Sequence, residues 1–148
     1  MAAIIGLIAS LVTLLAVYLW ACRLIKPGRY TFETERGSFE LDLARYTKAT
    51  EFIVPLDTGV IALLLSSSFF RNGTKYIGAP VVMIATSAAL LVLFVGFTTF
   101  FYGDWKYHPD LYTHKRYRAI VAFGLAGVLC FAIGYVWMAV VLCGLKPQ

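Results

Sequence analysis

Four long apolar runs, at 3–22, 52–70, 80–102 and 119–145, decide what this chain is able to fold into. Each is about 19 residues or longer and almost free of charge, enough at 1.5 Å per residue to cross a hydrocarbon core roughly 30 Å thick. Inside lipid every backbone N–H and C=O needs an internal partner, which leaves only helices and closed β-barrels. Barrel strands alternate apolar and polar residues over about ten positions, whereas these runs are apolar throughout. The sequence therefore predicts one polytopic membrane domain covering residues 1–148, an all-α bundle of four transmembrane helices. Composition agrees: 14% of the residues are charged, against roughly 25% in soluble domains.

Charge orients the bundle. With four spans, the segments 23–51 and 103–118 share one side of the membrane, and both termini and the 71–79 turn share the other. The first side carries Arg23, Lys26, Arg29, Arg36, Arg45, Lys48, Lys106, Lys115, Arg116 and Arg118; the second has Arg71, Lys75 and Lys146. By the positive-inside rule the two long loops are cytoplasmic and both termini lie outside. The expected location is a bacterial inner (plasma) membrane. This asymmetry accounts for the net charge of +5, leaves no basic surface for nucleic acid, and suits a basic rim meeting anionic headgroups.

The first run has no basic residue ahead of it and is longer than a signal-peptide core, so it is read as a retained span. Leu19-Trp20-Ala21-Cys22 faintly resembles a lipoprotein box, but Trp20 fits that box poorly. Cys22, Cys130 and Cys143 have neither metal-ligand nor redox spacing and are read as small apolar residues. Asn72-Gly73-Thr74 matches a glycosylation acceptor, yet Asn-Gly is better explained as turn chemistry between two antiparallel helices.

Between the first two spans, Lys26-Pro27-Gly28 ends a helix and residues 30–43 read as a small cytoplasmic β-hairpin turning at Arg36-Gly37. Tyr30, Phe32, Thr34, Phe39, Leu41 and Leu43 would form one face and the Glu33/Glu40 and Thr31/Asp42 pairs the other. Residues 44–51 continue as a short interfacial helix. The loop after the third span gathers both histidines, and Asp104, His108, Asp110 and His114 form a possible metal or acid/base group. The competing account makes that loop a membrane-interface segment whose Trp105, Tyr107, Tyr112 and Tyr117 join an aromatic belt. A haem between spans needs intramembrane histidine, which is absent from the runs, so no cofactor is expected.

Asp57 is the ionisable side chain placed well inside a run, roughly 7.5 Å beyond its start by helix rise. Such acids face the bundle and have partners; Arg23 and Arg118, at the same membrane depth, are the candidates. One account makes Asp57 a proton- or cation-coupling site loosened by Pro55 and Gly59. The other puts Pro55 in the first helical turn, where the positive helix end favours an acid. Ser66, Ser67 and Ser68 add hydroxyls on nearly the same helical stripe. In the last run Ala122, Ala126, Cys130 and Gly134 recur every four residues, the small-xxx-small pattern of close helix packing in lipid. Gly6 with Ser10, and Ala9 with Thr13, offer a complementary surface.

Four spans, a long cytoplasmic first loop and the Glu-x-x-x-Pro spacing of Glu51 and Pro55 resemble the microsomal glutathione transferase and eicosanoid-enzyme superfamily. Lys48 stands where that family places Asn, and its Arg-rich thiolate site has no counterpart, so no family is assigned. The expected function is a non-catalytic accessory, assembly or self-associating subunit, with the lipid bilayer and itself or another membrane subunit, met through helix 4, as partners. One alternative is a homo-oligomeric channel or small transporter using Asp57. The other is a membrane enzyme with the cytoplasmic-loop His/Asp site.

Overall fold

A computed structural model describes residues 2–25, 38–66, 77–107 and 114–144. They form four helices: α1 (Ala2–Leu24), α2 (Ser38–Ser66), α3 (Gly78–Tyr107) and α4 (His114–Gly144). Three are long and apolar enough to cross a membrane: α1, the Gly78–Gly103 part of α3, and the Lys115–Gly144 part of α4. In α2 the first half is rich in charge, with Glu40, Asp42, Arg45, Lys48 and Glu51 preceding the apolar stretch.

The described residues contain no strand, which overturns the expected β-hairpin: Ser38 to Leu43, its second strand, are the opening turns of α2. Residues 30–37 lie outside the described residues. An isolated two-stranded hairpin is marginal, whereas these residues add hydrogen-bonded turns to an existing helix without a new nucleation cost. Leu41, Leu43, Ala44 and Arg45 are adequate or good helix formers. The expected interfacial helix and the second apolar run are thus one element of 29 residues. Pro55 is correspondingly inside α2 and not in its first turn.

Close backbone approaches fix how the helices run. A Cβ built on Gly6 would stand 2.3 Å from the carbonyl oxygen of Ala79, so the start of α1 lies against the start of α3. At the other end, Arg118 near the start of α4 donates hydrogen bonds to the carbonyl of Ile25, just past α1. Along α4, Gly124 faces Phe94, Gly127 faces Leu91 and Gly134 faces Ile84. Hence α1 and α3 are parallel and α4 is antiparallel to both. The principal neighbour of α2 is α3.

The core sits among α1, α3 and α4, where Val17, Met83, Leu90, Ala122, Ala126 and Cys130 form one cluster. Ala126 and Cys130 are wholly buried. Small residues allow close helix approach there; in lipid, whose tails give helices no hydrophobic reason to associate, van der Waals contact at close range would hold them. The outward side of α1 carries Ile4, Ile8, Leu11, Leu15 and Leu19, each 54–62% exposed. A continuous aliphatic stripe of that size would drive association in water; against acyl chains it is in its own solvent.

Candidate functional site

Asp57 marks the site. Its side chain is fully buried between α2 and α3, and neither carboxyl oxygen has a hydrogen-bond partner among the described residues. Ser87 of α3 lies beside it, but the Ser87 hydroxyl donates to the Gly127 carbonyl of α4 at 2.8 Å. A hydroxyl has one proton to give and two lone pairs to offer. The Ser87 hydroxyl is directed at Gly127 and makes no hydrogen bond to Asp57.

The row of polar groups continues sideways. One turn along α4 from Gly127 is Cys130, buried beside Ser10 of α1, and the Ser10 hydroxyl donates to the Gly6 carbonyl at 3.0 Å. Asp57, Ser87, the Gly127 carbonyl, Cys130 and Ser10 therefore place polar atoms on all four helices across the width of the bundle. Among the described residues the wall that α3 and α4 give this row is without charge. Between Gly78 and Gly103 of α3, and from 119 to 144 of α4, there is no Lys, Arg, His, Asp or Glu. On α2 itself Lys48 and Glu51 are exposed.

The two arginines expected beside Asp57 are placed as follows. Arg118 closes the end of α1: its Nε donates to the Ile25 carbonyl at 2.8 Å, and a second guanidinium nitrogen donates to the same oxygen. A cation at a helix C-terminus is favourable both as a cap and against the dipole. Arg23 lies in the last turn of α1. Neither donates to Asp57. Because Pro55 is interior to α2, the positive helix end does not compensate Asp57 either. An ionised acid at mid-membrane costs about 2.5–3.5 kcal/mol on insertion scales, and less nearer the surface; among the described residues no donor reaches Asp57.

The packing residues behave as a seam. Ala122, Ala126, Cys130 and Gly134 are all buried, and the Gly134 position meets Ile84 and the Pro80 carbonyl oxygen of α3. The stripe on α4 is thus filled from within the chain. Gly6 and Ser10 of α1 are buried too, and Gly6 lies against Ala79 of α3. Of the possible loop ligands, His108 and Asp110 lie outside the described residues, as do the side chains of Asp104 and His114. Among the described residues no three His, Cys, Asp or Glu side chains converge. Ser67 and Ser68 also lie outside them. The three cysteines are unpaired.

Sequence reasoning missed Ser87, one of several hydroxyls in its apolar run beside Thr86, Thr98 and Thr99, whose direction depends on which helix lies opposite. It also missed the ring cluster near the far end of α3, where Phe97 stacks on Phe101 at 5.9 Å and on Phe123 at 5.4 Å. The Arg116 guanidinium lies 5.1 Å from the Phe101 ring centre, within cation–π range. An Arg three residues before an apolar run, with a Phe-rich helix end preceding it in the chain, is the sequence signal for it. Compared with protein-family models, curated proteins and solved structures, the chain matches none.

Proposed function

We propose that this chain is a four-pass membrane protein that acts by packing among other membrane helices, as an accessory, assembly or self-associating subunit. The fourth crossing is supported by direction. α1 and α3 are both long and apolar enough to span and they run the same way, so residues 26–77 have to carry the chain back across the bilayer. α2 is the helix available in that stretch. Both termini then share one face, and the basic loops place that face outside the cell by the positive-inside rule; a bacterial inner membrane suits this arrangement.

One observation carries the packing role. The small-residue seam closes α1, α3 and α4 on themselves, while α2 leans chiefly on α3 and leaves Phe52 and Leu63 each 70% exposed. A partner is therefore expected on the outer side of α2, not on the seam of helix 4. Single cysteines at Leu63 and at Leu11 on α1, with the native cysteines replaced, test this by cross-linking in native membranes. Cross-linked dimer or a discrete larger adduct from Leu63, and none from Leu11, is expected. Monomer alone from both positions would refute the role.

A second role, proton or cation movement by a homo-oligomer, is favoured by the buried, donor-free carboxyl of Asp57. Liposome flux by wild type and Asp57→Asn decides it: flux lost in the variant supports the role, and equal flux in both, or none in either, removes it.

A further inference from the structure

The side of α2 turned away from its buried residues is unlike the rest of the exterior. At 100° per residue, Lys48, Pro55 and Gly59 lie within about 20° of the direction opposite the buried Asp57, and Glu51, Phe52 and Leu63 within about 60° of it. All six are exposed. The outward stripe of α1 consists of large aliphatic side chains, Ile4, Ile8, Leu11, Leu15 and Leu19, which suit acyl chains. α2 instead carries two opposite charges at one end of the face and a dent at its middle. A Cβ on Gly59 would meet nothing within 4 Å, while Phe52 before it and Leu63 after it stand out at 70% exposure each. Lys48, Phe52, Pro55, Gly59 and Ala62 follow one another at steps of four, three, four and three, the recurrence that keeps one seam of a helix against a neighbouring helix.

Charge says which neighbour fits. Lys48 and Glu51 are exposed and opposite in sign, about 4.5 Å apart along the helix axis, and neither makes an ion pair among the described residues. Copies of one chain enter a membrane in the same orientation, so a contact between two of them is two-fold about the membrane normal and sets like residues at like depth. Across that axis Lys48 of each copy comes within reach of Glu51 of the other, and both pairings form together. The face is thus complementary in charge to itself. We propose that it is a contact with a second copy of this chain: α2 packs on α2, with Gly59 at the close approach and reciprocal Lys48–Glu51 pairs at the charged end. The proposal rests on the reading that a partner covers the outer side of α2, and it names that partner.

Two differently tagged full-length copies, expressed in the same membranes and extracted in mild detergent, test it by co-purification. Wild-type copies should co-purify. Lys48→Glu in both copies sets like charge against like at both pairings, as does Glu51→Lys in both, and each should lower the co-purified fraction about tenfold. One Lys48→Glu copy expressed with one Glu51→Lys copy puts an acid opposite a base in both places and should recover the wild-type yield. Gly59→Leu fills the dent, starting from a Cβ in open space, and should abolish co-purification while the monomer keeps its helical circular dichroism; this variant decides the matter should a charge variant fail to fold. Charge variants that co-purify as well as wild type, a mixed pair no better than either variant alone, or full co-purification by Gly59→Leu would each overturn the proposal. Wild-type copies that do not co-purify, while a cysteine at Leu63 cross-links to a different protein, would overturn the second copy and leave the reading of a partner on α2 standing. No adduct at Leu63 of any kind would end both.

Discussion

Gly6 is the position where adding a single methyl group should do the most damage. A Cβ there would meet the Ala79 carbonyl oxygen at 2.3 Å, with the Ala79 carbonyl carbon and Cα at 3.0 Å. Ordinary van der Waals contact begins at 3.4 Å, so α1 and α3 would have to separate by about 1 Å, and the obstruction is backbone that no rotamer change relieves. Overpacking costs about 1–3 kcal/mol; a backbone obstacle puts Gly6→Ala at the upper end, about 2–3 kcal/mol. That is a roughly 30- to 160-fold rise in the unfolding equilibrium.

Two comparisons isolate the cause. In Gly127→Ala the new methyl meets Leu91 side-chain atoms at 2.8 and 2.9 Å, which can turn aside, so a cost of about 1 kcal/mol is expected. Gly96 has nothing within 4 Å, and Gly96→Ala should stay within about 0.5 kcal/mol of wild type. Denaturant titration of the three variants in mixed micelles, followed by circular dichroism, gives the order directly. If Gly6→Ala unfolds at the same point as Gly96→Ala, the α1–α3 contact is not the one described and the parallel course of these helices loses its main support.

Arg118→Ala should cost about 1.5 kcal/mol, the low end for a hydrogen bond to a charged group, because the carbonyl of Ile25 loses both donors; Arg118→Lys should recover only part, since an ammonium cannot reproduce the two-pronged contact. Faster amide hydrogen exchange confined to the last turn of α1 is the readout, and unchanged exchange there would contradict the cap. Single cysteines at positions 36 and 110 should react with a membrane-impermeant thiol reagent from one side, and a cysteine at position 73 from the other. Labelling of 36 and 110 from opposite sides would dismantle the four-pass map.

The long uncharged apolar runs are enough to predict a helical bundle, because a backbone in oil has few ways to satisfy its polar groups. Three of the four runs are helices able to span, and Ala122, Ala126, Cys130 and Gly134, which recur every four residues, are all buried. Alternation over half a dozen positions at 38–43 fits a strand, but these residues are continuous with the helix that follows them. What the sequence could not contain was the choice of partner. Whether the small-residue stripe meets its own chain or another, whether Arg118 reaches Asp57 or the end of α1, and which way the proton of Ser87 points are decided by atoms tens of residues distant in sequence. Helix formation and membrane solvation are local and follow from composition, whereas hydrogen-bond direction and steric fit between helices exist only once the bundle has closed.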